Sequence, residues 1–593
     1  LVSRHSMLKK SKDDVVELLE SIARLLELKG ENVFKIRAYT NAVRTLETFS
    51  GDFVALVLEK RLGEIGGIGT ALEDKITEFA TTGDLPYFNT LKAEFPETLF
   101  DLFELQGLGP KKIKVLWETL NITTVEALEA ACNDGRVADL KGFGAKTATN
   151  ILTSIHARNQ YAGAFRFGDI AAGAEVMLEQ IKELEPVLQA SLAGSYRRRK
   201  EIVRDLDFLV STREPAVVSD FFVSHSLVET VLAHGATKSS VRLKNGIQAD
   251  LRVVTPEQYP SALNYFTGSK EHNIALRSRA LSRGWTLNEY RLGPDEKAKN
   301  TPDPIPPIHC EADLYRALGL DYIEPELRED RGEIAAAAEH RLPNLLKLEN
   351  LRGTFHNHTT SSDGKNTLEE MAAAAQELGL QYLGISDHSV SSFQAHGLDA
   401  GRLLAQVARI KELNEEFAPD FRLFAGVECD IHKDGTLDYP DEVLCQLDYV
   451  VASVHSSFNQ SQAEMTARII RAISNPYITM LGHLTGRLLL GRDSYALDIP
   501  ALIDAAASTN TVIELNSNPR RMELDWRWWP LAKEKGVKCS INPDAHGIAQ
   551  LQYLWCGVGI ARKGWLTADD VINTLPLGKI EKALAQKLPP SPH

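Results

Sequence analysis

The sequence is poor in cysteine, with six in 593 residues and no Cys-x-x-Cys pair. Scattered as Cys132, Cys310, Cys429, Cys445, Cys539 and Cys556, they exclude a disulfide framework or a zinc ribbon and fit a reducing compartment. No apolar run approaches the length of a transmembrane helix, although 44% of residues are hydrophobic, so no membrane partner is expected. The start, Leu1 to Ser6 ahead of Met7, reads as an expression scar and not as a signal peptide. An excess of basic charge is also missing, the net charge being −14. The deficit is uneven: residues 1–300 hold 39 Lys and Arg against 40 Asp and Glu, and the remainder 27 against 40. The first part is near neutral, and its basic clusters Lys111-Lys112-x-Lys114 and Arg197–Lys200 remain able to bind phosphates.

What is there is a chain long enough for several domains, organised around one stretch. Gly194-Ser195-Tyr196-Arg197-Arg198-Arg199-Lys200 runs on to Arg204-Asp205-Leu206-Asp207-Phe208-Leu209-Val210. The apolar Phe208–Val210 run predicts a buried strand, and Asp205 and Asp207 at its entry then share one face. Crowded carboxylates repel unless a cation lies between them, and hard oxygen ligands suit Mg²⁺. Asp250, at the head of a second β-branched run, supplies a third. Carboxylates on adjacent strands hold two metal ions about 3.5–4 Å apart in phosphoryl transfer. The Gly-Ser turn and the arginines offer N–H groups and planar cations for a polyphosphate.

Upstream, residues 7–60 read as amphipathic helices. Three Gly-x-Gly hairpins follow: Gly67-Ile68-Gly69, Gly107-Leu108-Gly109 (after Gln106) and Gly142-Phe143-Gly144. Each opens a predicted helix, where glycine lets backbone N–H groups approach a phosphate at the helix N-terminus. Downstream, Gly293–Pro307 reads as a proline-rich surface loop and the acidic Asp321–Gly332 as a linker. Beyond it, apolar strands alternate with helices, and a metal-capable residue ends nearly every strand. His356-Asn357-His358 with Asp363, then His388, Glu428, His455, His483 and Asp544-Ala545-His546 recur in this way. The pattern predicts a parallel barrel with its site at the C-terminal ends of the strands.

These motifs carry resemblances. Gly194-Ser195 with Asp205-x-Asp207 resembles the nucleotidyltransferase signature. Tyr265-Phe266-Thr267-Gly268-Ser269, Asn273, Arg277 and Gly284–Tyr290 resemble the nucleotide-binding subdomain of family X DNA polymerases such as polymerase beta. The resemblance implies Asp205, Asp207 and Asp250 as catalytic ligands of Mg²⁺ or Mn²⁺. It implies Ser195 and Arg198 on the triphosphate, Tyr265 and Phe266 flanking the sugar, Asn273 at the base edge and Arg277 on the template strand, with Gly194 and Gly268 also nucleotide-binding. Lys270 and Glu271 depart from the family pattern. The hairpins resemble helix-hairpin-helix motifs, which grip the DNA backbone without reading sequence. Lys75 falls on the position of a lysine nucleophile that removes 5′-deoxyribose phosphate through a Schiff base, with Lys35 and Tyr39 in support, but Ala71 replaces a phosphate-binding lysine. The second half resembles the PHP (polymerase and histidinol phosphatase) domain. There His356, His358, Asp363, His388, Glu428, His455, His483, Asp544 and His546 are implied ligands of up to three Mn²⁺ or Zn²⁺ ions, with Glu428 as a bridge.

A family X polymerase followed by a PHP domain resembles the bacterial and archaeal PolX enzymes. The expected fold is multidomain, α+β and α/β. It comprises an N-terminal helix-hairpin-helix domain (1–85), a second one (86–160), a nucleotidyltransferase palm (161–255), a nucleotide-binding subdomain (256–320), a linker (321–350) and a distorted (β/α)7 PHP barrel (351–593). The implied function is a DNA-directed DNA polymerase filling short gaps in repair, with a metal-dependent 3′–5′ exonuclease and abasic-site endonuclease in the PHP domain. Gapped or nicked DNA and dNTPs are the expected partners of a monomeric, cytoplasmic, nucleoid-associated enzyme. Competing readings are a degenerate polymerase region that delivers DNA to a PHP nuclease, a PHP phosphatase acting on a small phosphomonoester, and a non-enzymatic DNA clamp.

Overall fold

The computed structural model describes residues 8–49, 53–105, 107–160, 162–296 and 304–585. Leu1–Ser6, Gln106 beside the second hairpin and residues 297–303 of the proline-rich loop lie outside the described residues. The chain divides into two compact units, one ending at Ala162 and the other starting at Gly163.

The first unit is helical. Helix Lys12–Lys29 opens with a reciprocal Ser11–Asp14 capping box, which satisfies two orphan N–H donors. Its apolar stripe of Leu18, Leu19, Ile22, Leu25 and Leu26 enters a core shared with Ile76, Leu99, Ile113, Leu128 and Ile151. Each hairpin leads into its predicted helix: Thr70–Thr82, Pro110–Leu120 and Gly144–Gln160. Gly67, Gly107 and Gly142 have φ of 96°, 86° and 90°, a region that penalises a Cβ. A Cβ at Gly69, Gly107, Gly109, Gly142 or Gly144 would meet nothing within 4 Å. The backbone of these turns therefore stands open.

The second unit begins with a five-stranded sheet in the order Val187–Leu192, Asp205–Thr212, Gln248–Val254, Lys238–Leu243, Val228–Ala233. Only the pair Asp205–Thr212 and Gln248–Val254 is parallel. Helices Phe167–Lys182 and Pro215–Ser224 cover one face through Phe167, Ile170, Met177 and Phe222, which pack with Leu206, Phe208 and Leu251. The alternation that buries Leu206 and Phe208 turns Asp205 and Asp207 to the opposite face. Helices Tyr259–Thr267 and Lys270–Leu281 follow.

Two parallel sheets make up the rest: Gly353–Thr354, Tyr382–Ile385 and Arg422–Ala425, then Glu428–Asp430, Val451–Ser453, Met480–Leu481, Val512–Asn516 and Cys539–Asn542. A parallel bridge joins His388 to Glu428 and another joins Asn357 to Ala545, linking first and last strands.

Residues 321–332, expected as a linker, are packed. Ile323 and Leu327 are buried with Leu314, Tyr315 and Leu318, and Arg328 is fully buried against Glu311. Two of the segment's acidic residues are paired with distant cations: Glu326 with Arg562 and Glu329 with Arg198 and Lys563. One continuous apolar core also joins Phe167 and Phe208 to Leu551, Cys556 and Ile560. The two halves expected to be separate thus form a single unit.

Candidate active sites

The first site grows from the register of two strands. Asp207 lies opposite Asp250 across the parallel pair, and Asp205 opposite Gln248. Strand Val187–Leu192 pairs Leu192 with Phe208, and the Ala193 N–H donates to the Asp207 carbonyl at 2.8 Å. The chain then turns into helix Gly194–Arg197 directly over the carboxylates. Gly194 has φ 59°, and a Cβ there would overlap the Asp207 carboxylate. Burial, then the charges of Asp205 and Asp250, push the Asp207 carboxyl up to about 7, against the pull of Arg252 and Arg198. Asp205 is raised by burial and by Asp250. Three crowded, mutually repelling carboxylates offer hard oxygen donors that could hold a divalent cation.

Around them, Arg198 Nε donates to Glu329 at 3.0 Å and its Nη1 to the Thr267 carbonyl. Ser195 is half-buried at the same helix start. Tyr265 and Phe266 meet edge to face at 5.2 Å, and Arg252 lies 5.0 Å over the Phe266 ring. Asn273 donates to the Tyr265 carbonyl at 2.8 Å, and its own Oδ1 is buried without a partner. Arg277 is exposed one helical turn further on.

The second site gathers all nine histidines and carboxylates singled out in the PHP-like half. Glu428, 1% exposed, is the hub. One oxygen lies 2.9 Å from His483 Nε2, 3.2 Å from His455 Nε2 and 3.3 Å from His356 Nε2. The other lies 2.9 Å from His388 Nδ1 and 3.7 Å from His358 Nε2. Asp544 adds contacts to His358 (3.2 Å) and His356 (3.6 Å). Asp363 closes the outer side, 3.4 Å from His546 and 3.6 Å from His388. Burial opposes charge throughout; at Glu428 and His455 it is outweighed by charged partners, and at His358 it wins. His356, His455 and His388 hold Glu428 well below the carboxylate range, and Glu428 with Asp430 lifts His455 to about 10. His358, crowded by burial and by His546 and His388, falls to about 3.

The ring nitrogens His356 Nε2, both nitrogens of His358, His388 Nδ1 and His483 Nδ1, with Glu428 Oε2, are buried without a hydrogen bond. Native proteins rarely leave so many buried polar atoms unsatisfied. Three groups of these residues converge closely enough to share an ion: His358-Asp363-His388-His546, His356-His358-Glu428 and His388-Glu428-His455. The donor set fits divalent transition metals. Two supporting carboxylates carried no motif. Glu514 accepts from His356 Nδ1 at 2.6 Å and from the His483 N–H at 2.6 Å, and Asp430 binds His455 Nδ1. Such partners fix ring orientation in metal sites. Their strand positions, Val512–Asn516 and Glu428–Asp430, were the available signal. Arg521 Nε lies 3.4 Å from Asp544, whereas Arg520 is exposed.

In the first unit, Lys75 lies 5.0 Å over the Tyr87 ring and donates to the Ala71 carbonyl at 3.1 Å. Tyr39 is buried, its hydroxyl raised by burial and by Tyr87, and Tyr87 also raises Lys35 behind the Glu31 ion pair. Tyr87, which carried no motif, is what Lys35, Tyr39 and Lys75 share.

Known families match in the same order. Residues 10–85 match a helix-hairpin-helix domain, 100–157 a SAM-like helix-hairpin-helix tandem, 262–329 the DNA polymerase beta thumb and 354–518 the PHP domain. Helix-hairpin-helix domains, a polymerase beta thumb and a PHP domain in one chain define a modular DNA polymerase. The chain is 38% identical over 575 residues to the DNA polymerase/3'-5' exonuclease PolX of Bacillus subtilis (strain 168), covering 97% of this chain and 99% of that protein. It belongs to the PolX family. Proteins named as probable phosphatases match the PHP half: one from Thermoanaerobacter sp. (strain X514), 30% identical over 243 residues (39% of this chain, 94% of that one), and one from Clostridium acetobutylicum, 30% identical over 203 residues (32% and 78%).

Proposed function

We propose that this protein is a DNA polymerase that fills short gaps and carries a separate 3′–5′ exonuclease in its PHP half. The observation that carries the reading is the presence of two independent carboxylate-rich sites in a chain that matches PolX of Bacillus subtilis from end to end. At the first, Asp205, Asp207 and Asp250 would hold Mg²⁺ or Mn²⁺ between them. Ser195 and Arg198 hold the triphosphate, Tyr265 and Phe266 flank the sugar, Asn273 meets the base edge and Arg277 the template. Divalent ions bound there supply stabilisation of both attacking and leaving oxygens.

At the second, on a distorted (β/α)7 barrel, the nine ligands would hold up to three Mn²⁺ or Zn²⁺ ions, with Glu428 as bridge. Ions there supply a lowered water pKa and Lewis-acid stabilisation of the phosphoryl oxygens. Glu514 and Asp430 orient the imidazoles. The open hairpins at Gly67, Gly107 and Gly142 take the phosphate backbone of gapped DNA. Lys75, with Lys35 and Tyr39, forms a Schiff base with a 5′-deoxyribose phosphate. Residues 85, 160, 255, 320 and 350 bound the functional segments of this reading, with 321–350 packed into the second compact unit and not serving as a free linker. No helix among the described residues is long and apolar enough to cross a membrane, and a monomer in the cytoplasm suits the reading. The named phosphatases match only the PHP half, and a small-molecule phosphatase has no use for the polymerase thumb and hairpins.

The test is incubation with gapped and 3′-ended DNA and Mg²⁺ or Mn²⁺, with and without dNTPs. Template-dependent extension with dNTPs and shortening from the 3′ end without them are expected. Absence of either reaction contradicts the corresponding half.

A further inference from the structure

Helix Leu554–Lys563 lies in the PHP half, yet its last residue serves the other half. The Lys563 side chain is 0% exposed. Its ammonium donates to the Arg198 carbonyl at 3.1 Å, to the Glu326 carbonyl at 3.4 Å and to the Glu329 carboxylate. It also sits 4.7 Å over the Trp526 ring. A buried ammonium is tolerated only when its donors are satisfied. All three are, and every acceptor belongs to the polymerase part of the chain.

Glu329 is the shared partner, since the same Oε1 accepts from Arg198 Nε at 3.0 Å. With Nη1 on the Thr267 carbonyl, the guanidinium is gripped on two sides, and Nη2 makes no hydrogen bond among the described residues. The surrounding packing leaves little play. Arg199 lies over Phe167 and Trp555 at 5.1 and 5.4 Å, and a Cβ at Gly559 would press on Arg199 at 3.3 Å.

We infer that Lys563 and Glu329 are positioning residues for nucleotide addition, through which the PHP half holds Arg198 in the orientation that receives the triphosphate of an incoming nucleotide. The inference rests on the reading of Arg198 as a triphosphate ligand. An arginine ordered beforehand loses no rotamer freedom when nucleotide binds, and its planar fork keeps its aim. Without Lys563, Glu329 loses its second cation and its fixed place, and Arg198 must be ordered at the moment of binding.

The experiment compares Lys563→Met, Glu329→Gln, their double variant and Arg198→Ala. It measures dNTP dependence of primer extension on gapped DNA, and 3′-end degradation on the same full-length preparations. Lys563→Met and Glu329→Gln are each expected to raise KM for dNTP by about tenfold, a difference of about 1.4 kcal/mol, with kcat within about twofold. The double variant is expected to be no worse than either single one, because both break one relay, and degradation should be unchanged. If Arg198→Ala raises KM while both relay variants leave it at the parental value, the relay is refuted and Arg198 keeps its role. If Arg198→Ala leaves KM unchanged, the triphosphate reading itself fails. Should Lys563→Met melt at assay temperature, Lys563→Arg and Glu329→Gln decide: retained charge is expected to restore KM to within about twofold, and a tenfold rise in Lys563→Arg with none in Glu329→Gln overturns the relay.

Discussion

Asp207→Asn should stabilise the metal-free protein and destabilise it relative to wild type once Mg²⁺ is present. Without a bound cation the Asp207 carboxyl is raised from 3.8 to about 7 by burial and by Asp205 and Asp250. The unfolded chain ionises this group near 3.8, so the folded state carries an ionisation penalty that is complete above pH 7. The penalty shrinks as pH falls and is gone below 3.8. At about 1.4 kcal/mol per pKa unit the full penalty is about 4 kcal/mol; solvent screening at this half-buried position reduces it to about 2 kcal/mol. Asparagine removes the charge without changing the shape. Calorimetry in chelator should therefore show Asp207→Asn melting a few degrees above wild type at pH 8 and by about a third as much at pH 5. Added Mg²⁺ should reverse the order, since wild type regains its counter-charge and the variant has lost a ligand. If the variant is less stable than wild type in chelator at pH 8, or if Mg²⁺ raises both melting points equally, the carboxylates are not a metal site.

Two other perturbations probe single contacts. Gly194→Ala places a Cβ on the Asp207 carboxylate at a residue with φ 59°, so primer extension should fall by about a hundredfold or more while 3′-end degradation persists; extension kinetics on gapped DNA check it. Borohydride should trap the protein on an incised abasic site, and Lys75→Ala should abolish the adduct, with an equal yield from the variant ruling out Lys75 as the nucleophile.

The parts of this molecule that a reader of the sequence could find are those where chemistry is local. Asp205 and Asp207 declare themselves because strand alternation over two residues fixes their common face. The histidines and carboxylates singled out in the PHP half, Asp363 apart, do so because they sit at the ends of apolar runs. The hairpin glycines repeat one shape three times, and at Gly69, Gly107, Gly109, Gly142 and Gly144 the backbone stands open. What stayed hidden depends on partners far away in the chain. Asp321–Gly332 reads as a solvated acidic linker until Arg562 and Lys563, more than two hundred residues later, are seen to pair with Glu326 and Glu329. Glu514 looks like one more strand residue until the fold brings it against His356, 158 positions away. Tyr87 lies outside the hairpin pattern and enters only because the helices place it between Lys75 and Tyr39. Charge pairing and imidazole support of this kind leave no periodic trace.

The central claim is that one chain holds two separate active sites, and the most direct measurement crosses one variant of each with both reactions. Glu428 touches five imidazoles at once, so Glu428→Ala removes the anion that balances the whole cluster and should abolish 3′–5′ degradation while primer extension proceeds at near wild-type rate. Asp207→Ala should abolish extension and leave degradation intact. If Glu428→Ala degrades DNA normally, or if Asp207→Ala abolishes degradation as well as extension, a single site serves both reactions and the account is wrong.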